Sequence, residues 1–142
     1  MQYLLLQLKV HLVKVENNIK FKLFQSKKLE VRKSDIHGYG VFTNELIHKD
    51  ELLEECHYIE VSSEKEMKRY MFNFPKGKNP KKFVIPLGFG SVYNTSNFKG
   101  ENNIDWITDL DNDILVFSAT KKIRVDEELL IWYNYTDGNI YR

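Results

Sequence analysis

The stretch VRKSDIHGYGVF at residues 31–42 has apolar ends and a middle rich in turn-forming residues. This pattern predicts two strands joined by a sharp turn, which we place at residues 34–40. Glycine has no Cβ, so Gly38 and Gly40 allow the main chain to adopt positive φ angles and to approach a ligand closely. In isolation, a Gly-x-Gly sequence more often marks a plain turn than a binding site, so its meaning depends on the rest of the chain.

Two further segments follow, GSVYNTSN at residues 90–97 and DEELLIWYNY at residues 126–135. The side-chain amide of Asn94 offers a donor and an acceptor, which suits recognition of a charged amino acid group. A buried asparagine can also simply satisfy neighbouring main-chain groups, and this alternative stays open. Tyr133 ends an apolar run that is typical of a buried strand, so it is either a reactive-site phenol or an ordinary core aromatic.

In this order, the three segments resemble the cofactor and catalytic motifs of SET-domain protein-lysine methyltransferases. The first is similar to the family's R-S-x-I-H-G-x-G-L/V-F opening, the second to its asparagine-histidine-serine segment and the third to its G-E-E-L-x-F-x-Y ending. The resemblance implies a mainly β fold with short helices, a β-clip-like SET fold with a knotted C-terminal segment. It also implies transfer of methyl groups from S-adenosyl-L-methionine to a lysine side-chain amine of a protein substrate, such as a histone.

The resemblance assigns residues to the cofactor. In the family, the glycine turn packs on the methionine part of S-adenosylmethionine, and the asparagine segment holds the charged amino acid end and the adenine. Thr95 stands where the family has histidine, a change that would keep a contact made through the main chain and lose one made by the ring. The residues expected to bind the cofactor are His37, Gly38, Tyr39, Gly40, Tyr93, Asn94 and Thr95.

The last tyrosine of the family's ending is catalytic, which places that role on Tyr133. Tyr70 resembles a tyrosine that lines the channel for the target lysine. Ile131 stands where the family often has phenylalanine or tyrosine, which predicts a less restrictive channel and the addition of more than one methyl group. Tyr135 would point to the same face as Tyr133 if the strand continued, which makes it a further channel candidate.

The resemblance places a SET domain at residues 29–135. Before it, residues 1–28 form an extension that we expect to be β-structured and packed on the domain, and residues 136–142 form a C-terminal tail. The cysteine-rich flanking modules of other family members are missing, so we expect the extension, the tail or a second subunit in a homodimer to complete the fold. No internal repeat or linker indicates a second domain.

Periodicity and turn residues predict the remaining elements. Ser63 and Glu66 have the spacing of a capping box, so a short helix is expected to begin there. Asp126 occupies a position where the family has glycine, and aspartate enters left-handed conformations more readily than most residues. Further strands are expected at residues 52–61, 104–108, 114–119 and 128–133, with the arms 104–108 and 114–119 forming a hairpin.

The composition is that of a soluble globular protein. Of 142 residues, 42% are hydrophobic and 29% are charged, and the net charge of +1 favours neither nucleic acid nor a membrane as partner. Cys56 is the only cysteine, which excludes an intramolecular disulfide, fits an intracellular setting and indicates a buried apolar side chain. No metal site is expected because the histidines lack ligand spacing; they are His11, His37, His48 and His57.

Acidic residues cluster near residues 51–66 and 105–113 and would steer a basic peptide, although solvated strand and loop faces explain them equally well. The alternative to an enzyme is a non-catalytic protein-binding module that kept the SET fold and lost tight cofactor binding, in line with Thr95. Tyr70 and Tyr133 favour the enzyme, because a scaffold has no need for channel tyrosines. The first acidic cluster includes Glu51, Glu54, Glu55 and Glu60.

Overall fold

The computed structural model describes residues 22–62, 67–136 and 139–141, with main chain only from residue 134 onwards. This part of the chain consists of twelve β-strands and the turns between them, and it contains no helix. The predicted mainly β architecture is confirmed. The strands are β1 (Leu29–Lys33), β2 (Tyr39–Thr43), β3 (Leu52–Cys56), β4 (Tyr58–Val61), β5 (Phe72–Phe74), β6 (Lys82–Pro86), β7 (Asn94–Thr95), β8 (Ile104–Asp109), β9 (Ile114–Ala119), β10 (Glu128–Ile131), β11 (Asn134–Thr136) and β12 (Asn139–Tyr141).

The opening stretch folds as its sequence predicts. β1 and β2 pair antiparallel, with Val31 opposite Val41. Across the turn the main-chain N–H of Ser34 donates to the carbonyl oxygen of Gly38 at 2.9 Å. Gly38 adopts a φ of 51°, a left-handed conformation in which most side chains would be strained. The predicted strand, turn and strand are therefore confirmed.

β10 organises the four-stranded sheet because it pairs on both sides. It runs antiparallel to β2, with Leu129 opposite Val41, and parallel to β7, with Ile131 opposite Thr95. The sheet order is β1-β2-β10-β7. The last long strand is thus inserted between segments from the start and the middle of the domain, the arrangement expected of a knotted C-terminal segment.

Buried Asn103 ties β10 to the loop that follows β7. Its Nδ2 donates to the carbonyl oxygen of Glu128 at 2.9 Å, and its Oδ1 accepts from the N–H of Leu130 at 2.7 Å. The Asn103 N–H donates to the Leu130 carbonyl at 3.1 Å, and the Ser96 N–H donates to the Ile131 carbonyl at 2.9 Å. The loop therefore flanks β10 as a further strand would and encloses it.

One predicted strand is divided in two. Residues 52–61 form β3 and β4, which separate at His57 and join different sheets, β3 beside β9 and β4 beside β6. The sequence hides this break because buried and exposed positions keep alternating through Cys56, His57 and Tyr58. The prediction of a single strand over residues 52–61 is wrong for this reason.

The helix predicted to begin at Ser63 starts among residues 63–66, which lie outside the described residues. Residues 67–70 form a turn, and β5 follows almost at once. β5 pairs with β6, with Phe72 opposite Val84. The short aromatic strand escaped sequence analysis because three residues are too few to show an alternating pattern.

Two turns agree with the sequence analysis. β8 and β9 form the predicted hairpin, with Ile104 opposite Ala119. Asp113 at the hairpin turn has a φ of 57°, and Asp126, which stands where the family has glycine, has a φ of 68°. Aspartate adopts this conformation at low cost, so the replacement of glycine at position 126 leaves the turn intact.

An aromatic cluster forms the centre of the core. The Phe72 ring lies edge-on to the rings of Trp106, Phe117 and Tyr133, with centroid distances of 5.0, 5.9 and 6.3 Å. Each edge-to-face pair adds about 0.5–1.5 kcal/mol to the stabilisation from burial. Since Tyr133 belongs to this cluster, the packing that stabilises the fold also fixes a predicted site residue.

The ends of the chain are described in part. Residues 1–21 of the expected N-terminal extension lie outside the described residues. Beyond them, the chain runs beside β3, where the Ser26 N–H donates to the Leu53 carbonyl and the Glu55 N–H donates to the Phe24 carbonyl, both at 2.8 Å. At the other end, β11 and β12 pair antiparallel. No described residue belongs to a helix that could span a membrane.

Candidate functional site

A cavity of about 700 Å³ opens beside the glycine turn. Cavities of this size accommodate small-molecule ligands. The walls are formed by the turn between β1 and β2, the turn before β5, the segment leading into β7, and Tyr133. The structure therefore gathers most of the residues that the sequence assigned to the site; the lining residues are Ile36, His37, Gly38, Tyr39, Arg69, Tyr70, Ser91, Val92, Tyr93, Asn94, Thr95 and Tyr133.

Asn94 fastens the glycine turn to β10. Its Nδ2 lies 3.1 Å from the carbonyl oxygen of His37, 3.3 Å from that of Tyr39 and 2.7 Å from Oε1 of Glu128. The other carboxylate oxygen of Glu128 accepts from the hydroxyl of Ser34 at 2.9 Å. The donor hydrogens of the Asn94 amide are directed at the protein itself, so a ligand would meet the acceptor atom Oδ1.

The two glycines of the turn serve different purposes. A Cβ at Gly40 would lie 2.0 Å from Oε1 of Glu128, so position 40 must be glycine for this carboxylate to reach Asn94. A Cβ at Gly38 would meet nothing within 4 Å, and glycine is favoured there by the positive φ. Gly38 lines the cavity and Gly40 does not, so the contact between Gly40 and the cofactor stays a prediction.

Tyr133 reaches the cavity from the aromatic core. Only 3% of the residue is exposed, and its hydroxyl donates to the main-chain carbonyl of Tyr93 at 2.9 Å. A phenol whose proton is committed to a carbonyl presents its oxygen as an acceptor. Tyr70 lines the same cavity and is half exposed. The structure thus brings Tyr70 and Tyr133 to one site.

The other two channel candidates differ from these tyrosines. Ile131 is fully buried in the core and does not belong to the cavity wall. Its predicted effect on the width of the channel stays a prediction. Tyr135 belongs to β11, and its side chain lies outside the described part of the structure.

A buried carboxylate lies behind Tyr93. Glu54 is 1% exposed, and its Oε1 accepts from the Tyr93 hydroxyl at 2.8 Å. Its Oε2 accepts from the Phe89 N–H at 3.2 Å and from Nε2 of Gln25 at 3.5 Å. Burial raises the pKa of the Glu54 carboxyl. Burial and the nearby Glu54 charge raise the pKa of the Tyr93 phenol well above its ordinary value, so this phenol remains a hydrogen-bond donor.

The burial of Glu54 and Glu55 overturns part of the expectation of an exposed acidic cluster. Glu55 is 8% exposed, and its Oε2 accepts from the Phe24 N–H at 3.0 Å. These two carboxylates are not available to attract a basic peptide. Cys56 beside them is also buried, and burial, together with the Glu54 charge, raises the pKa of its thiol. The interpretation of Cys56 as a buried apolar side chain is confirmed.

Glu54 gives the stability of the protein a defined pH dependence. Because its folded-state pKa is raised, the folded chain binds this proton more tightly than the unfolded chain does. The free energy of unfolding therefore falls as pH rises from the ordinary carboxyl pKa through the raised value. We expect Glu54→Gln to lack this contribution. The unfolding free energy of the variant minus that of the wild type should therefore increase as pH rises.

Denaturant unfolding of both proteins from about pH 4 to pH 8 measures this difference. Subtracting the two curves removes the contributions of all other carboxylates, which the variant retains. A difference that stays flat across the range would contradict a raised pKa of Glu54.

The sequence matches the family model of the SET domain over residues 38–134. The chain belongs to the SET-domain family. Among solved structures that resemble this SET domain is one from Plasmodium falciparum, provisionally assigned as a histone methyltransferase. The two sequences are 28% identical, the match covers 79% of this chain and 97% of the other, and the TM-score is 0.62. No curated protein sequence matches the chain.

Membership of the SET-domain family confirms what the order of the three motifs indicated. Together with the Plasmodium structure, it supports a methyltransferase-type function for this SET domain. Within residues 22–62 and 67–136, no group of three or more histidine, cysteine, aspartate or glutamate side chains is placed to hold a metal ion.

Three side chains of this SET domain that bear on the cavity were not predicted from the sequence. Glu128 belongs to the DEEL sequence, and its link to Gly40 follows from the absence of a Cβ there. Arg69 lines the cavity and directly precedes Tyr70, so the motif at Tyr70 could have drawn attention to it. Glu54 gave no signal, because a glutamate next to another acidic residue is normally solvated.

Proposed function

We propose that this SET domain transfers methyl groups from S-adenosylmethionine to a lysine side-chain amine of a protein substrate. The observation that carries the proposal is the meeting of the glycine turn, Asn94, Tyr70 and Tyr133 at one cavity. Family membership supplies the class of reaction. The side chains around the cavity are suited to binding the cofactor and to orienting a lysine amine.

The cavity wall fits S-adenosylmethionine, which carries a carboxylate, an ammonium group and an adenine ring. Arg69 brings a guanidinium group to the wall, which can pair with a carboxylate through two parallel hydrogen bonds. Oδ1 of Asn94 is an acceptor suited to the ammonium group. When bound, S-adenosylmethionine supplies an electrophilic methyl group on a positively charged sulfur. We assign its binding to His37, Gly38, Tyr39, Arg69, Tyr93, Asn94 and Thr95.

Thr95 is compatible with this assignment through its main chain. Its hydroxyl donates to the carbonyl oxygen of Ser96 at 3.0 Å, so its hydroxyl hydrogen is committed within the protein. Pairing with Ile131 of β10 fixes the main chain at this position. A main-chain contact at position 95 would therefore survive the replacement of histidine by threonine.

A lysine amine attacks a methyl group only in its neutral form. A lysine of ordinary pKa near 10.4 must first give up its proton to solvent water, at a cost of about 4–5 kcal/mol at pH 7. An apolar, aromatic surface disfavours the charged ammonium form and reduces this cost. Tyr70 and Tyr133 present such a surface at the cavity, with the Phe72 ring packed edge-on to Tyr133.

Tyr133 is proposed to orient the attacking amine. Its proton is held by the Tyr93 carbonyl, so its oxygen can accept an N–H of the substrate amine and direct the amine lone pair away from the phenol. Fixing two reactants in a productive orientation can supply on the order of 7–11 kcal/mol of the rate enhancement. Alignment therefore suffices as the main contribution of the protein, and no acid–base histidine is needed.

Transfer of label from isotopically labelled S-adenosylmethionine tests the proposal. The purified protein is incubated with labelled cofactor and a panel of histones and cell-extract proteins, and modified residues are located by mass spectrometry. The proposal predicts labelled lysines. A thermal shift with S-adenosylmethionine or S-adenosylhomocysteine is measured in parallel, because a ligand that binds the folded state stabilises it. Absence of both labelling and a shift would favour a non-catalytic binding module instead.

Arg69→Gln is expected to weaken the binding of S-adenosylhomocysteine about tenfold, because the variant loses a charge-assisted pair with the ligand carboxylate worth about 1.5 kcal/mol. Calorimetric titration measures the change. Arg124→Gln is the matched control, since it removes the same charge from an exposed residue outside the cavity wall. Equal affinities of the two variants would remove Arg69 from the proposed site.

A further inference from the structure

We propose that Glu54 is a positioning residue of the active site, because it fixes the main-chain carbonyl of Tyr93 to which the Tyr133 hydroxyl is bonded. The inference rests on the proposed function for its effect on catalysis. Its structural part, the placement of Tyr133, does not depend on that function. Glu54 is not among the site residues predicted from the sequence and does not line the cavity, so the role adds a residue behind the cavity wall.

Two hydrogen bonds connect the buried carboxylate with the proposed catalytic phenol. Oε1 of Glu54 accepts from the Tyr93 hydroxyl at 2.8 Å, and the Tyr93 carbonyl accepts from the Tyr133 hydroxyl at 2.9 Å. All three residues are at most 3% exposed, so water does not compete for these bonds. Tyr93 contributes its side chain to one bond and its main chain to the other, so it links Glu54 to Tyr133.

The carboxylate also holds the segment that leads to Tyr93. Oε2 of Glu54 accepts from the Phe89 N–H at 3.2 Å, so the same side chain is hydrogen-bonded to this segment both at Phe89 and at Tyr93. Between these points the Val92 N–H donates to the Phe89 carbonyl at 2.8 Å. The segment from Phe89 to Tyr93 therefore turns beside the carboxylate, and Asn94 and Thr95, which follow it, line the cavity.

Gly88 shows how closely the main chain approaches Glu54. A Cβ at this position would lie 2.9 Å from Oε2, and the residue has a φ of 83°, which strongly favours glycine. The groups that face the carboxylate are the Phe89 N–H, the Gln25 amide, the Tyr93 phenol and the Cys56 thiol. All of these groups are donors, and a carboxylate matches them because both of its oxygens are acceptors. Glutamine at position 54 would instead place its NH₂ donor against one of these donors.

Two single variants interrupt the connection at one bond, that between the Tyr93 hydroxyl and Glu54, from its donor side and from its acceptor side. Tyr93→Phe removes only the hydroxyl that meets Glu54 and leaves the carbonyl that meets Tyr133. Glu54→Gln keeps the shape of the side chain and removes one acceptor oxygen. Each is expected to lower kcat about 10- to 100-fold through misplacement of Tyr133, measured at saturating cofactor and substrate. Since both act through one bond, the double variant is expected to lose little more than either single variant.

Tyr58→Phe is the matched control. The Tyr58 hydroxyl also meets a carboxylate, that of Asp113, and Tyr58 is largely buried and lies outside the cavity wall. Its variant is expected to lose stability and to keep kcat. A purely structural role of Glu54 predicts the same pattern for Tyr93→Phe, namely lower stability with unchanged kcat, and that result would overturn the proposal.

Carbon-13 NMR of labelled tyrosine rings provides a readout that needs no activity. The Tyr133 signal is identified by its loss in Tyr133→Phe. It is expected to shift in Tyr93→Phe and Glu54→Gln and to stay in place in Tyr58→Phe. A Tyr133 signal that is unmoved in both Tyr93→Phe and Glu54→Gln would refute the positioning role, even if the wild type transferred no methyl group and the proposed function itself had failed.

Discussion

Tyr133→Phe is expected to lower the methyl-transfer rate constant on the order of 100-fold or more, with binding of S-adenosylhomocysteine nearly unchanged. Phenylalanine keeps the ring that packs edge-on to Phe72, so the aromatic core survives. What disappears is the oxygen proposed to accept an N–H of the substrate amine. The amine then enters the cavity without a fixed orientation, and the alignment that we regard as the main source of rate enhancement is lost.

Single-turnover label transfer to the lysine identified with the wild type measures this loss. Tyr58→Phe again serves as control, because it removes a hydrogen-bonded phenol hydroxyl away from the cavity. Tyr133→Phe also leaves the Tyr93 carbonyl without this bond, which costs about 1 kcal/mol of stability, so thermal unfolding must show that the variant is folded at the assay temperature. Label transfer by a folded Tyr133→Phe at the wild-type rate would remove Tyr133 from the mechanism.

The parts of the fold that the sequence predicted are those decided by neighbours in the chain. The turn at Gly38 and the hairpin of β8 and β9 follow from apolar alternation interrupted by turn residues, and these are local signals. Asp126 could be expected to adopt a positive φ for the same reason. The division of residues 52–61 at His57 was not predictable, because it depends on which distant strands, β9 and β6, pair with each half.

The same distinction applies to the site. Residues that belong to recognisable motifs, such as Asn94 and Tyr133, were named in advance, and the structure places both at the cavity. Glu54 was grouped with surface acids because its local sequence is acidic, whereas its burial is set by donors that are far away in the chain, including the Tyr93 hydroxyl. Ile131 belongs to a motif as well, and it is fully buried in the core and does not line the cavity.

Asn103→Leu is expected to lower the free energy of unfolding by roughly 2–6 kcal/mol. The Asn103 side chain satisfies the carbonyl of Glu128 and the N–H of Leu130, both on β10. Leucine has nearly the same size and can satisfy neither. Each buried main-chain group that loses its partner costs about 1–3 kcal/mol, and this one substitution removes the partner of both the Glu128 carbonyl and the Leu130 N–H.

Denaturant unfolding measures the change, with two variants as controls. Asn103→Asp keeps an acceptor for the Leu130 N–H but sets a second acceptor against the Glu128 carbonyl, so it is also expected to lose stability. Asn102→Leu alters the neighbouring, less buried residue, whose amide bonds to Gly100 and to Ile104 at the start of β8 and not to β10. Equal losses of unfolding free energy in Asn103→Leu and Asn102→Leu would mean that the Asn103 side-chain bonds to β10 make no special contribution to stability. Because β10 also carries Glu128, which reaches Asn94, a specific loss at Asn103 would mean that β10 and the cavity wall are stabilised together.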